Sequence, residues 1–481
     1  MKTKSLQLNM VLNIVRGMMN VIFPLITYPY VSRILGVEQL GRLDFSQSII
    51  NYIVLIAGLG FANYIIREGS PLRDNRKDIS KLSSEIFTLN MISSLLAYAI
   101  MLGWIMISSK LQGYWELILI LSINVILKTI GVEWVFTIYE DYLYITIRSI
   151  LFQVLSLVAL FAFVRERDDL YIYAMIVVFA GAGSFIFNFF RARKFLDIRI
   201  IFTKRMIKYM SPVLVFFAMS AFQTIYISCD TTILGYISGD YYVGLYGVST
   251  KIYMIIKSFL SSAVVVALPR LCKSAQEDDS DGFKSTANEV LKSLLFLVIP
   301  AIIGILFYHK EMILIISTKE FLGAGKSLVI LSFSLFSSLL AYFWAHCVLI
   351  SYKKENLVLV ISIISASLNI IFNIILIPFF QHNAAAFTTV MSESFIALMC
   401  YLFGRKYLKL DGLFGQLMKI LAGCIFIIAI CFVTIKKIEN GIISFIIGAS
   451  ASVIVYILVE IALKNEVVYP SWIKLKSKLK K

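Results

Sequence analysis

Apolar segments of about 20 residues recur along the whole chain, and we count about 14 of them within 481 residues. A helix needs a segment of that length to cross the roughly 30 Å of hydrocarbon in a bilayer. Charged residues make up only 15% of the chain, whereas soluble domains carry about 25%. No stretch between the segments is long enough for a soluble domain. The sequence therefore predicts an all-α integral membrane protein with about 14 transmembrane helices.

The lysines and arginines are concentrated in alternate loops between the apolar segments. With the N-terminus placed inside, the inside loops and tails hold about 28 basic residues and the outside loops about 8, which predicts that both termini are cytoplasmic. The net charge of +16 therefore reflects membrane topology and does not indicate a nucleic-acid partner. The basic C-terminal tail and the loop at 191–208 are predicted to contact anionic lipid head groups.

Two hairpin sequences, YVSRILGVEQLGRLDFSQSI at 30–49 and ISCDTTILGYISGDYYVGLYGVSTKI at 227–252, resemble each other. Both contain ILG, and the equivalent later positions are Gly41 with Gly244, Ser46 with Ser249 and Ile49 with Ile252. The copies lie six helices apart, so they have the same orientation in the membrane and form a parallel repeat. The sequence thus predicts an N-terminal lobe of six helices at 1–200, a C-terminal lobe of six helices at 201–410, two further helices at 411–463 and a cytoplasmic tail at 464–481.

Charged side chains inside the apolar segments are the main candidates for a functional site, because a charge at the bilayer centre costs about 2.5–3.5 kcal/mol. Asn13, Arg16 and Asn20 share one face of the first helix, which Pro24 and Pro29 can kink. Basic residues predominate among the candidates in the first eight helices, so a cavity that they line attracts an anion. The other candidates are Arg33, Asp44, Lys128, Glu133, Arg148, Asp230, Lys251, Lys257 and Glu393.

Some of these charges also have a purely structural interpretation. Lys128 and Glu133 can pair between neighbouring helices. Lys251 and Lys257 lie about 120° apart around their helix, so one of the two is expected to face a cavity. Three charges near predicted outer helix ends can be interfacial, and these are Arg33, Asp44 and Asp230.

The sequence contains none of the common enzyme signatures, neither a Walker loop nor GxGxxG at a strand–helix turn, HExxH or GxSxG. We therefore expect no enzymatic activity and no cofactor. Without a nucleotide site, active transport would draw on an ion gradient, the membrane potential or the substrate's own gradient, and the coupling ion, H⁺ or Na⁺, stays open.

Three segments resemble the polysaccharide flippases of the Wzx type. They are SRILGVEQLGRLDFSQSIINY at 32–52, CDTTILGYISGDYYVGLYGVSTKI at 229–252 and SLNIIFNIILIPFFQHNAAAFTTVMSE at 367–393. The segments occur in the same order and at matching helix positions, and the resemblance spans residues 8–410. One departure is visible, because Gln381, His382 and Asn383 occupy a turn in which the family usually has glycine. The departure puts the tightness of that turn in question.

This resemblance implies membership of the multidrug/oligosaccharidyl-lipid/polysaccharide exporter superfamily, with a MATE- or MurJ-like fold of two six-helix lobes and alternating access. It also implies a function, the transfer of undecaprenyl-diphosphate-linked oligosaccharide repeat units from the cytoplasmic to the periplasmic leaflet of a bacterial inner membrane, for O-antigen or capsule assembly. The implied partners are a polysaccharide polymerase and a chain-length regulator.

Under this hypothesis the basic and amide candidates hold the anionic lipid diphosphate and sugar acid groups, because arginine matches phosphate oxygens well. The remaining charges would gate the cavity or couple ions. The predicted substrate-binding residues are Arg16, Arg33, Lys251, Lys257, Asn13 and Asn20. The predicted gating or coupling residues are Asp44, Asp230, Glu393, Lys128, Glu133 and Arg148.

Three alternatives remain open on the sequence. A multidrug–cation antiporter or a lipid II flippase would share the fold, although a drug antiporter is expected to have a more acidic and aromatic cavity. A membrane polysaccharide polymerase would be an enzyme with many helices and typically a large periplasmic loop, whereas the outside loops here reach only about 15–20 residues.

Overall fold

The structure is a computed structural model that describes residues 6–277, 279–408, 410 and 412–479. These residues form helices, turns and loops, without a β-strand among them. Within the same part of the chain, ten helices are long and apolar enough to cross a membrane. The prediction of an all-α, multi-pass membrane protein is thus confirmed, while the number of 14 crossings stays a prediction.

The described α-helices are α1 (Leu6–Gly58), α2 (Phe61–Gly69), α3 (Arg76–Ile107), α4 (Ser109–Gln112), α5 (Trp115–Gly131), α6 (Trp134–Ile138), α7 (Tyr142–Phe163), α8 (Leu170–Val178), α9 (Phe185–Ala192), α10 (Met206–Ser238), α11 (Asp240–Gln276), α12 (Ser280–Ile316), α13 (Gly325–Tyr342), α14 (Glu355–Gly404), α15 (Leu413–Lys437), α16 (Gly441–Ala462) and α17 (Tyr469–Leu479). Short π-helical turns join α8 to α9 at Phe179–Gly183 and extend α13 at Phe343–Ile350.

Two of the longest helices contain a break where the sequence predicts a turn. In α1 the break lies at Gly36, whose φ of 74° and ψ of −178° suit glycine, while Pro24 and Pro29 lie inside the helix. In α14 the break lies at Gln381, with φ 48° and ψ −131°. The chain therefore turns at the position where the Wzx-type family usually has glycine, at the expense of backbone strain at Gln381.

The chain divides into two compact units, Met1–Gly244 and Leu245–Lys481. The first unit includes α10, which the sequence assigned to the second lobe. One core cluster of this unit includes the buried residues Phe61, Trp134 and Phe136. The predicted six-helix lobes, with their boundary between residues 200 and 201, stay a prediction.

Within the first unit, equivalent positions of the two repeated hairpins pack against each other through glycine. A Cβ on Gly41 would lie 1.9 Å from the Asp240 carbonyl oxygen, and one on Gly244 would lie 2.1 Å from the Val37 carbonyl oxygen. A Cβ on Gly235 would lie 2.1 Å from the Phe45 ring. Such close backbone approach requires glycine. We call Gly41, Gly235 and Gly244 the glycine junction.

A hydrogen bond also fixes the start of α11 in the first unit. The Tyr114 hydroxyl donates to the Asp240 carboxylate, with distances of 2.6 and 2.7 Å to its two oxygens. Burial raises the pKa of the Asp240 carboxyl, and the Tyr114 hydrogen bond opposes that shift. The backbone of Asp240 therefore packs against Gly41, and its side chain is fixed by the hydrogen bond from Tyr114.

In the second unit, polar contacts join the two halves of α14. The Thr388 hydroxyl donates to Asn373 Oδ1 at 2.7 Å, and Asn373 Nδ2 donates to Asn369 Oδ1 at 3.1 Å. A separate core joins α12, α15 and α16, where the Tyr456 hydroxyl donates to the Phe296 carbonyl oxygen at 2.9 Å. Hydrogen bonds between apolar helices thus fix the packing inside this unit.

Candidate functional site

Arg16 and Glu133, 117 positions apart in sequence, form an ion pair in the first unit. Arg16 Nη2 lies 2.5 Å from Glu133 Oε1, and the two side chains are 31% and 27% exposed. Glu133 stands between α5 and α6, directly after Val132, whose φ of 37° is unusual for a β-branched residue. The carboxylate that pairs with Arg16 therefore follows a strained residue, which is common at functional sites.

Arg148 is a second arginine in the same region, and it is only 5% exposed. None of its three guanidinium nitrogens has a hydrogen-bond partner among the described residues. The guanidinium lies over the rings of Tyr144, at 5.6 Å, and Phe185, at 5.1 Å. A buried guanidinium without hydrogen-bond acceptors is energetically unfavourable, and its N–H donors are unused among the described residues.

The Glu133 carboxylate acts on the Arg148 guanidinium as an attractive charge, and Arg16 acts on it as a repulsive one. Phe185, which covers Arg148, packs against Gly131 so closely that a Cβ there would lie 2.6 Å from the Phe185 Cβ. Glycine at the end of α5 thus lets α9 close over the guanidinium. The sequence predicted Arg148 as a candidate, but it gave no sign of this isolation.

Lys128 completes the group of charges. It lies on α5 and interacts electrostatically with Glu133. Lys128 and Glu133 both line a cavity of about 260 Å³, together with Asn90, Thr129 and Phe185. We call Arg16, Lys128, Glu133 and Arg148 the charge cluster.

The charge cluster holds three cations and one carboxylate, so its excess charge is positive. Glu133 contacts Arg16 at ion-pair distance and acts electrostatically on the other two cations. The interpretation of Lys128 and Glu133 as a simple pair between helices is therefore incomplete. An anion with several oxygens, such as a phosphate group, could bind the cations of this cluster.

A different arginine, Arg191 of α9, has a carboxylate as its hydrogen-bond partner. Arg148 has no hydrogen-bond partner among the described residues. Arg191 Nη2 lies 2.8 Å from Asp141 Oδ2, and its guanidinium lies 4.1 Å from the centre of the Tyr144 ring. Two arginines thus contact the same tyrosine, one paired and one without a hydrogen bond. From the sequence, Arg191 is one of several basic residues of a predicted loop, and nothing there indicates this pair.

The remaining predicted residues of α1 are Arg33, Asp44, Asn13 and Asn20. Arg33 is exposed. Asp44 is partly exposed, and its charge acts on the phenol groups of Tyr28 and Tyr173. The side chains of Asn13 and Asn20 lie outside the described part of the chain.

Asp230 is buried in α10, with only 6% of its surface exposed. Its carboxylate accepts a weak contact from Cys229 Sγ at 3.6 Å and acts electrostatically on the Tyr52 hydroxyl of α1. Nearby, the Thr232 hydroxyl lies 2.9 Å from Ser48 Oγ. Asp230 is therefore a buried charge that lies beside polar contacts joining α1 to α10.

In the second unit, Lys257 and Glu393 form an ion pair of 2.9 Å. The Glu393 side chain is 8% exposed, and Lys257 also lies over the Tyr253 ring at 5.4 Å. Lys251 on the same helix is partly exposed. A predicted substrate-binding residue and a predicted gating residue are thus joined in one pair.

We expect Lys257→Met to destabilise the protein, because it leaves the buried Glu393 carboxylate without its ion-pair partner. The loss in free energy of unfolding should be about 3–5 kcal/mol, and most of it should return in the double variant Lys257→Met/Glu393→Gln. Thermal unfolding of the two variants and of wild type in lipid nanodiscs measures the loss of stability and its recovery. A single variant as stable as wild type would show that the pair contributes nothing to stability.

The comparisons with known proteins agree with this architecture. A proposed O-antigen transporter of Shigella dysenteriae is 21% identical over 81% of this chain and 96% of its own. The capsular polysaccharide biosynthesis protein CapF of Staphylococcus aureus is 23% identical over 77% of this chain and 91% of its own.

Two solved structures share the fold. The lipid II flippase MurJ in an inward closed conformation matches with a TM-score of 0.76 at 15% identity, over 95% of this chain and all of its own. A multidrug MATE transporter in an inward-facing conformation matches with a TM-score of 0.63 at 14% identity, over 81% of this chain and 94% of its own. These likenesses establish the MurJ- and MATE-like fold.

The family of polysaccharide biosynthesis proteins matches residues 7–275, which is more than half of the chain. The matched region contains the two repeated hairpins and all four residues of the charge cluster. It also covers two of the three segments that carry the resemblance to Wzx-type flippases, so that prediction is confirmed. The chain therefore belongs to the polysaccharide biosynthesis protein family.

Proposed function

We propose that the chain is a flippase for undecaprenyl-diphosphate-linked oligosaccharide repeat units. It moves them from the cytoplasmic to the periplasmic leaflet of the bacterial inner membrane by alternating access, for O-antigen or capsule assembly. Both termini face the cytoplasm. A polysaccharide polymerase and a chain-length regulator then act on the delivered units.

The observation that carries this proposal is the buried Arg148 guanidinium, which lacks a hydrogen-bond acceptor among the described residues. A membrane protein retains such a charge when a ligand or a second conformation supplies its partner. The diphosphate of a lipid-linked sugar supplies several anionic oxygens, and arginine binds such oxygens with two parallel hydrogen bonds.

The rest of the charge cluster supports a role in binding and release. Glu133 pairs with Arg16 and would compete with the diphosphate for the same cations. Binding would therefore exchange the ion pair for contacts to phosphate, and Glu133 would recapture Arg16 on release. Such an exchange gives the substrate-bound protein and the protein after release different contacts, as a transport cycle requires.

The charge cluster argues against one of the two transporter alternatives and does not separate the other from this proposal. A MATE-type drug antiporter shares the fold, but an excess of cations in the charge cluster repels the cationic compounds that such a transporter would carry. A lipid II-type flippase would have the same diphosphate chemistry and differs only in the sugar.

Deletion of the gene in its bacterium tests the proposal. Lipid-linked repeat units should accumulate in the cytoplasmic leaflet while surface polysaccharide is lost, and a plasmid copy of the wild-type gene should reverse both effects. Normal surface polysaccharide after deletion, in a cell without a second flippase, would contradict the proposal, and a gain in sensitivity to cationic dyes would then favour the drug antiporter.

A further inference from the structure

A second cavity lies in the first unit, and its lining differs in chemistry from that of the cavity lined by Lys128 and Glu133. It has a volume of about 370 Å³ and lies between the second half of α1, α2 and α10. That volume is within the range of roughly 300–1,000 Å³ that small-molecule sites occupy. Five amide or hydroxyl side chains line it, and the described lining contains no ionisable side chain. These polar residues are Asn51, Asn63, Ser220, Thr224 and Ser228.

The two cavities are neighbours. Val54, Gly58 and Ala62 line both of them, so a single wall of small and apolar residues separates the two. One cavity presents the charges of Lys128 and Glu133, and the polar groups described in the lining of the other are neutral. A molecule with an anionic part joined to an uncharged, hydroxyl-rich part would match this arrangement.

Three of the five polar side chains of the second cavity are available to a ligand. Asn63, Ser220 and Thr224 have no side-chain hydrogen bond within the described residues, and they are at least partly exposed. Asn51 Nδ2 donates to Ser228 Oγ at 3.2 Å, which holds these two side chains in place. Amides and hydroxyls both donate and accept hydrogen bonds, and sugar hydroxyls need partners that do both.

The backbone around the second cavity is also fixed. Gly60, which lines it, has a φ of 80°, and a Cβ there would lie 2.7–2.9 Å from atoms of Phe216 and Phe217. The start of α2 is therefore packed tightly on α10. A preformed wall reduces the entropy lost when a ligand binds.

We infer that the second cavity binds the first sugars of the lipid-linked saccharide while the charge cluster holds the diphosphate. This inference rests on the proposed function and adds a sugar-binding site to it. In the predicted orientation the loop after α2 is cytoplasmic, so the second cavity lies toward the leaflet from which the repeat units are taken.

Binding to two lipids tests the inference. The purified protein in nanodiscs is titrated with undecaprenyl diphosphate and, separately, with the same lipid carrying the repeat-unit oligosaccharide. Thr224→Val and Asn63→Leu remove hydrogen-bonding atoms from the second cavity with little change in volume. Each should weaken binding of the sugar-bearing lipid about tenfold, the equivalent of one or two lost hydrogen bonds, and leave binding of undecaprenyl diphosphate unchanged.

The control Thr231→Val makes the same substitution in α10 outside the cavity, and it should bind both lipids as wild type does. If Thr224→Val and Asn63→Leu weaken binding of both lipids equally, or of neither, the second cavity is not a sugar site. The same holds if wild type binds the lipid equally well with and without sugar. Wild type that binds neither lipid would instead overturn the proposed function.

Discussion

Gly41→Ala is expected to abolish polysaccharide export, because the added Cβ would lie 1.9 Å from the carbonyl oxygen of Asp240. That oxygen belongs to the backbone, and the Asp240 side chain is held by Tyr114, so the contact cannot relax by a rotamer change. The strain should exceed the gain of up to about 1 kcal/mol that alanine brings to a helix, and overpacking typically costs about 1–3 kcal/mol. Surface polysaccharide and thermal unfolding are measured for the same variant.

Gly103→Ala is the matched control, because a Cβ on Gly103 of α3 has no heavy atom within 4 Å. It should leave export unchanged and the protein as stable as wild type or slightly more stable. Gly244→Ala, whose Cβ would lie 2.1 Å from the Val37 carbonyl oxygen, should behave like Gly41→Ala. Full export by Gly41→Ala would show that the glycine junction is not required in any step of transport.

Arg148→Met should lower transport at least tenfold while leaving the protein as stable as wild type or more stable. Methionine fills most of the space of the arginine stem, and replacing an unpaired buried charge with an apolar group is neutral or stabilising. Loss of hydrogen bonds to a charged ligand, worth about 1.5–3 kcal/mol each, accounts for the lower transport. Export in the complemented deletion strain and thermal unfolding of the purified variant give the two readouts.

Arg191→Met is the control for Arg148→Met, because Arg191 contacts the same Tyr144 ring but has a carboxylate partner. It should destabilise the protein, since Asp141 would lose its ion pair. If Arg148→Met destabilised the protein as much as Arg191→Met, Arg148 would be a structural residue.

Much of the fold was predictable from the sequence, because a membrane-spanning helix requires a continuous apolar segment, and such segments are visible in the sequence. The glycine of the first ILG motif marked the turn at Gly36, and the repeat predicted that Gly41 and Gly244 are equivalent. Their contact could not be predicted, since equivalent positions in a repeat need not touch. The turn at Gln381 also formed without the expected glycine, because the packing of the two halves of α14 outweighs the local strain.

The candidate site was predictable only as a set of charges. A charge inside an apolar segment is visible in the sequence, and Arg16, Glu133 and Arg148 were all found in this way. Which of them pair depends on helix rotation and distance in space, and 117 residues separate Arg16 from Glu133. The neutral residues of the second cavity, such as Asn63 and Thr224, gave no signal, because serine, threonine and asparagine also serve as packing residues in membrane helices.

Binding of undecaprenyl diphosphate to the purified protein, compared between wild type and Arg148→Met, tests whether the charge cluster holds the diphosphate. Both proteins are reconstituted in nanodiscs of zwitterionic lipid, and the affinity is measured at two salt concentrations. We predict that wild type binds the lipid, that higher salt weakens this binding, and that Arg148→Met binds it at least about tenfold more weakly. Equal affinity of a folded Arg148→Met variant and wild type would contradict the assignment of the charge cluster as the diphosphate site.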